Sequence, residues 1–388
     1  MTSSRVSPRT TQKPVRLLQA SALVSSLDRA AIAPLLVPIA ADFSHGVDQV
    51  TLAATVYLLA YGVMQLFWAA GSDKFGRVRT MRFSLVIAGV AGIASAGVTN
   101  LPLLVGFRGL AGAAFAAAVP GALVYIGDTV PIRVRPAALA DLSTGIAAGF
   151  ALGTLGAAVL SEQIGWRFVF VVTGACALGL AVLIGRLPEP ERTAPPKMLT
   201  QIPQLLRHPG AMLILALAFV EGFTVLGFLV FLPATLQPSG VSTSKASGVT
   251  AVYGVAVILT AWLVKRTAER IAPHLVLASG GLLAFAAFGL LTVAHGPFGV
   301  LVCAACLGGS WAQMHTALQA WATEVRPESR GLVVSAFAAS LFTGSAVGTW
   351  VGGLLLSGGS LVLLYGSATA IAALLTVVAT FGRSRQPF

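Results

Sequence analysis

Four charged residues stand inside long apolar stretches of this sequence: Asp28, Arg29, Arg108 and Glu221. Charge in such a setting is costly and marks candidate sites for ions, protons or ligands. A carboxyl there can take up and release a proton as its access to water alternates, because burial disfavours the charged form and a nearby cation favours it. An arginine there can hold an anion or respond to the protonation of a neighbouring acid. Asp28 and Arg29 are adjacent, so they project about 100° apart on a helix. One can face a cavity while the other faces a neighbouring helix, and an internal Asp–Arg pair is the plainer use of Asp28. Glu221, in Phe219-Val220-Glu221-Gly222-Phe223, has no basic residue nearby on its own helix. It is a candidate proton carrier or anchor for a cationic substrate, or else a neutral, hydrogen-bonded side chain between helices. Gln65, Gln313, His315 and Gln319 add polar groups that can line a cavity or bond helix to helix. An unperturbed imidazole titrates near neutrality, which puts His315 within reach of a proton path.

The elements that must position these residues are membrane helices. Of 388 residues, 56% are hydrophobic and 10% are charged, and the mean hydropathy is +0.86. Soluble domains carry about 25% charged residues, so this chain cannot cover a water-facing surface. Only helices or closed barrels satisfy the backbone in lipid. The apolar runs have the length of a spanning helix, about 20 residues, and lack the alternation of barrel strands. A net charge of +12 does not indicate nucleic acid here, because the basic residues sit in short links between apolar runs, the positive-inside pattern. Cys176, Cys303 and Cys306 fall within apolar runs and are expected to be small packing residues rather than a metal site or disulfides. The first apolar run has no small-residue cleavage site and continues as a full span, so no cleavable signal is expected.

The apolar runs place twelve helices near 17–40, 49–70, 81–98, 102–127, 137–160, 166–187, 210–232, 247–264, 273–294, 297–322, 331–356 and 360–381. Residues 1–16 and 383–388 are expected as cytoplasmic tails, the first disordered. Residues 17–187 and 209–382 are expected as two six-helix bundles. The Pro- and charge-rich stretch 188–208 would be a cytoplasmic linker, partly a surface helix. With this layout only Arg167 and Lys245 fall outside and Arg29 and Arg108 lie within spans, while every other Lys and Arg falls on the cytoplasmic side. Gly145, Gly149 and Gly153 in helix 5 are echoed by Gly344, Gly348 and Gly352 in helix 11, half a chain away. Asp28 and Glu221 likewise sit mid-helix in helices 1 and 7. Such an echo suggests an internal repeat; close helix packing alone explains the matched placement of the glycines less well.

The link between helices 2 and 3, Ala69–Arg79, reads AAGSDKFGRVR. It resembles the helix 2–3 signature of the major facilitator superfamily, Gly-x-x-x-Asp-Arg/Lys-x-Gly-Arg-x-Arg/Lys. Asp73, Lys74, Gly76, Arg77 and Arg79 fit it, and Ala69 stands where the family has Gly. The resemblance implies a conformational lock of the outward-open state: Asp73 against the start of helix 11 near Glu328–Gly331, and Arg77 with Asp128 at the end of helix 4. Lys265–Arg270 is a degenerate echo of the link. Arg108-Gly109-Leu110-Ala111-Gly112 resembles the family's Arg-x-x-Gln-Gly, with Ala111 for Gln, and implies a role for Arg108 in proton coupling; bracing helix 1 through carbonyls is the structural alternative. Ser26-Leu27-Asp28-Arg29 resembles helix 1 of the drug–proton antiporters. Helix 5 keeps three glycines of that branch's signature, with Phe150 for Pro and Thr154 for Gly.

The expectation is therefore an all-α membrane transporter of the plasma (inner) membrane, both termini cytoplasmic, monomeric, and not an enzyme. It would work by alternating access. Its partners would be protons, a small-molecule substrate and the lipid bilayer, without nucleic acid. Asp28, Glu221 and Arg108 would couple protons to the export of amphipathic, drug-like compounds. A transporter of a sugar, amino acid or organic anion is the alternative; anion uptake would need a cavity-facing cation, Arg29 or Arg108. A non-transporting sensor or scaffold is the rival of another class. No GxxxxGK[ST] loop is present, so ATP does not drive the process directly, and no cofactor or metal is expected.

Overall fold

A computed structural model describes residues 8–190, 201–237, 240–267 and 271–385. Twelve of its helices are long and apolar enough to cross a membrane: α1 (Pro8–Phe43), α2 (Val47–Phe75), α3 (Arg77–Ala96), α4 (Leu101–Thr129), α5 (Arg135–Gln163), α6 (Trp166–Ile184), α7 (Pro209–Leu236), α8 (Thr243–Thr267), α9 (Pro273–Leu291), α10 (Pro297–Val325), α11 (Arg330–Ser357) and α12 (Leu361–Ser384). Each spans because its backbone groups bond within the segment. The links begin new helices with proline in the first turn, as at Pro273 and Pro297, or with a side-chain cap. Asn100 accepts a hydrogen bond from the Leu103 amide at 3.0 Å, and Ser360 accepts one from Leu363 at 3.2 Å. Large apolar side chains such as Phe67, Phe83, Leu282 and Val377 lie exposed on the outer faces, as lipid contact requires. The chain is a multi-pass membrane protein.

Three local features depart from the sequence reading. The expected tail is not irregular throughout, because α1 already begins at Pro8; residues 1–7 lie outside the described residues. The polar N-terminal residues continue a helix that the apolar run nucleates, and polarity alone does not stop a helix. Helix α4 is interrupted by a turn at residues 116–117. Helices α7 and α10 each contain a π-helical turn, Gly222–Leu226 and Trp311–His315, which hydropathy cannot reveal. In the stretch 188–208, residues 191–200 lie outside the described residues, and Ile202–Leu206 form a short helix. Of the 265–270 link, residues 268–270 also lie outside them, as do 386–388.

The packing repeats by half-chains. Helix α1 packs chiefly on α5 and α7 on α11; α2 on α4 and α8 on α10; α3 on α6 and α9 on α12. The halves meet along α2–α11 and α5–α8, which exchange under the same six-helix shift. Glycine makes the first of these contacts possible. A Cβ at Gly145 or Gly149 would run into the carbonyls of Gln19 and Leu23 in α1, and one at Gly344 or Gly348 into those of Phe219 and Phe223 in α7. Gly153 faces Leu27, whereas Gly352 meets the Phe231 ring instead. These pairs fix the register between halves. Gln19 corresponds to Phe219 and Leu23 to Phe223, so Asp28 corresponds to Phe228, and Glu221 to Ser21. The two acids are therefore not symmetry mates. They sit at depths about two helical turns, roughly 10 Å, apart.

Candidate functional site

The start of α1 and the end of α12 lie on one side of the bundle, here the terminal end; the other is the far end. Asp28 projects from α1 toward α4 and α6. Its carboxylate accepts from Arg108 Nη2 at 2.6 Å and Nη1 at 3.2 Å, and from the Thr173 hydroxyl at 2.8 Å. Asp28 and Arg108 are fully buried. The guanidinium lies over the Phe170 and Tyr57 rings, 4.4 and 4.8 Å from their centroids. A forked, two-bond pair of this kind is among the stronger polar contacts, and the flanking rings keep water from it. The structure thus joins two residues 80 positions apart and adds Thr173, Tyr57 and Phe170. Sequence gave no signal for these three beyond a lone hydroxyl and aromatic rings in apolar helices.

Glu221 and His315 form a second pair. His315 Nδ1 lies 3.2 Å from Glu221 Oε2, and the other carboxylate oxygen of the fully buried Glu221 has no hydrogen-bond partner. The imidazole stacks on Trp311 at 3.9 Å and also meets Phe337. Both π-helical turns flank this pair: Glu221 immediately precedes one, and His315 ends the other. Such turns rotate the following side chains out of the regular helical register, and they recur at functional sites.

Arg29 behaves differently from its neighbour. It faces a small cavity between the halves, about 50 Å³, lined from α1, α2, α5, α7, α8 and α11. Its guanidinium rests on the Phe342 and Tyr61 rings at 5.0 and 5.4 Å. Those rings touch each other across the halves at 4.6 Å. They lie one turn from Tyr57 and Ser345 toward the terminal end, and Phe342 forms part of the cavity wall. The polar residues grouped with Arg29 as cavity-lining do not gather there. Gln65 is buried in α2. Gln313 accepts from Ser279 of α9 at 2.5 Å and donates to the Gly309 carbonyl, an interhelical bond. Gln319 is exposed on α10.

At the terminal end, the α2–α3 link turns on Gly76, whose φ of +107° favours glycine. Arg77 bonds Asp73, Ser72 at 3.3 Å and Asp128 at 3.2 Å. Asp73 and Glu328–Gly331 border the same cleft of about 290 Å³ between the halves, and no hydrogen bond joins them among the described residues. Lys74 lies over the Phe75 ring, and Arg79 is exposed. Glu189 was not singled out from sequence, yet its carboxylate accepts from the Val78 and Arg79 amides at 3.1 and 3.3 Å, capping α3. At the far end the halves are closed. A Cβ at Gly353 in α11 would lie 3.2 Å from Thr51 Cβ in α2, and the Ser244 amide of α8 donates to Glu162 of α5 at 2.7 Å. The molecule is shut at the far end and cleft at the terminal end, with a small cavity between.

The sequence model of the Major Facilitator Superfamily matches residues 19–328. An efflux pump, apf11 of Gibberella fujikuroi, is 26% identical over 243 residues, 62% of this chain and 42% of that protein, so the chain spans less than half of that relative's length. The 4-hydroxybenzoate transporter PcaK of Pseudomonas aeruginosa is 25% identical over 383 residues, covering 86% of this chain and 83% of the relative. The solved structure of the xylose transporter XylE from E. coli, in a partially occluded inward open conformation, superposes with a TM-score of 0.77 at 15% identity over 97% of both chains.

Proposed function

The chain belongs to the Major Facilitator Superfamily, and from that premise we propose that it is a proton-coupled secondary transporter exporting small amphipathic organic compounds by alternating access. The observation that carries the reading is the pair of buried carboxyls on transmembrane helices, each bonded to a basic group from another helix: Asp28 with Arg108 and Glu221 with His315. A buried ion pair adds little net stability compared with apolar packing, so one such pair and a carboxyl–imidazole contact in a lipid-embedded core suit a role that changes protonation. When Asp28 takes a proton, Arg108 loses its counter-charge and its fork of hydrogen bonds; α1 and α4 then have reason to shift. His315 can pass a proton to or from Glu221 at hydrogen-bond distance. Rocking of the halves would open the closed far end while Asp73 engages the start of α11 and shuts the terminal cleft.

Relatives bearing efflux-pump names favour export. A second reading, uptake of an organic anion, is favoured by Arg29 facing the cavity without a carboxylate beside it, and by the 4-hydroxybenzoate transporter among the relatives. The basic links, including Lys74, Arg79, Arg133 and Arg135, share the terminal end, which supports cytoplasmic termini in a plasma (inner) membrane.

Proteoliposomes with a pH-sensitive dye inside test the proposal. Under an imposed proton gradient, cationic, neutral and anionic compounds are added to wild type, Asp28→Asn and Glu221→Gln. The expected result is compound-driven proton movement lost in at least one variant; its sign separates export from uptake. Compound flux without proton movement, unchanged in both variants, would overturn proton coupling.

A further inference from the structure

Every buried acid near the centre of this molecule has a basic partner, but one central cation has no acid. Asp28 is matched by Arg108 and Glu221 by His315. Arg29 forms no ion pair and no hydrogen bond among the described residues; its guanidinium lies over the Phe342 and Tyr61 rings. The residues lining its cavity include no Asp or Glu. Two more of them carry hydroxyls that are buried and bond to nothing: Tyr57 Oη and Ser345 Oγ. Tyr57 is 2% exposed and Ser345 is fully buried. An unmet buried hydroxyl costs about 1–3 kcal/mol, and two such groups beside an unpaired guanidinium make an unusual cluster. The remaining wall is apolar, with Phe150, Leu226, Val230 and Phe342.

We propose that Arg29, Tyr57 and Ser345 form a binding site for the carboxylate of a small aromatic or otherwise apolar organic acid. The two hydroxyls and the guanidinium supply donors, which a carboxylate with its several lone pairs can satisfy together. An organic cation finds no counter-charge in this wall, and a neutral compound leaves Arg29 unmatched. The cavity, about 50 Å³, has room for a head group of the size of one or two waters. The apolar body of the acid would then replace the Tyr61–Phe342 contact on the terminal side, bringing ring faces against the ligand and drawing Arg29 off those rings onto the carboxylate. Arg29 and Tyr57 therefore tie cargo binding to the proton site. Arg29 follows Asp28 in the chain, and the Tyr57 ring carries Arg108 at 4.8 Å. The inference rests on the transporter reading above only in taking this cavity as the cargo site.

The test is equilibrium binding to the purified full-length protein by titration calorimetry, using benzoate and cinnamate against their amides and against benzylammonium. Wild type is expected to bind at least one carboxylate at least tenfold more tightly than its amide, with no measurable benzylammonium binding. Arg29→Gln should erase that preference, Arg29→Lys should retain part of it, and Tyr57→Phe or Ser345→Ala should each weaken carboxylate binding several-fold. The proposal is overturned if neither carboxylate binds better than its amide, if benzylammonium binds as well, or if Arg29→Gln leaves the preference intact. Should Arg29→Gln fail to fold, the wild-type comparison and Tyr57→Phe decide the matter by the same criteria. Binding needs no gradient, so loss of proton coupling in liposomes with carboxylate preference retained would fault the coupling reading alone, and the converse would fault only this site.

Discussion

Neighbouring residues on one helix face different chemistry because a helix turns about 100° per residue: Asp28 is tied into a buried pair, and Arg29 meets only rings and a cavity. Their substitutions should therefore behave differently. Arg108→Ala strands the Asp28 carboxylate and is expected to cost about 3–5 kcal/mol, the usual price of an orphaned buried charge. Arg29→Ala removes no ion pair or hydrogen bond, only its contacts with the Phe342 and Tyr61 rings, worth about 0.5–2 kcal/mol, and should lower the melting temperature less than Arg108→Ala does. Thermal denaturation of both variants in one detergent makes the comparison. Adding Asp28→Asn to Arg108→Ala should recover part of the loss; if it does not, the Asp28–Arg108 bond is not the source of the cost.

Among elements, the glycine faces of α5 and α11 set how closely the helices approach. Gly149→Val and Gly348→Val would each drive a side chain into backbone carbonyls of α1 or α7. Overpacking of this kind costs roughly 1–3 kcal/mol or more, and backbone cannot move aside as a side chain can. Gly156→Ala, on the same α5 but with nothing within 4 Å, should be tolerated. The yield of monodisperse protein would read this, and equal yields for Gly149→Val and Gly156→Ala would contradict it. Helix α3 depends on a different device. Glu189→Ala uncovers two amides at its N-terminus, where the helix dipole also favours negative charge. A loss of about 1 kcal/mol is expected, seen as a lower melting temperature, with Glu189→Gln intermediate.

The whole molecule is held closed at the far end by contact of α2 with α11 and of α5 with α8. Thr51→Cys with Gly353→Cys, in a background lacking Cys176, Cys303 and Cys306, brings two thiols within disulfide reach, since a Cβ at Gly353 lies 3.2 Å from Thr51 Cβ. Oxidation should trap this state and stop transport, and reduction should restore it. Transport that continues in the oxidised, cross-linked protein would mean that the far end need not open. The cleft beside Asp73 and Glu328 carries the complementary expectation: compounds wedged into it that hold it open should oppose far-end opening, since the same rocking motion closes one end as it opens the other.

Composition, the spacing of apolar runs and the placement of Lys and Arg determined the twelve helices by themselves, because lipid leaves a chain of this hydropathy few other ways to satisfy its backbone. The Ala69–Arg79 link and the four intramembrane charges were likewise legible, as charge in lipid is rare enough to stand out. Partners were not. That Asp28 would meet Arg108 and Thr173, that Glu221 would meet His315 beside two π-helical turns, and that Glu189 would cap α3 depend on contacts between helices distant in sequence. The equal appearance of Asp28 and Glu221 as mid-helix acids was misleading about depth, since helix ends do not fix register; the glycine contacts do. Arg29 and Arg108 both stood out in the sequence as cations in apolar runs, and Arg29, next to Asp28, was as open to an ion pair as Arg108. Only the tertiary packing decided that one guanidinium would find a carboxylate and the other aromatic rings beside a cavity, because the rotation and depth of each helix are set by its neighbours rather than by its own residues.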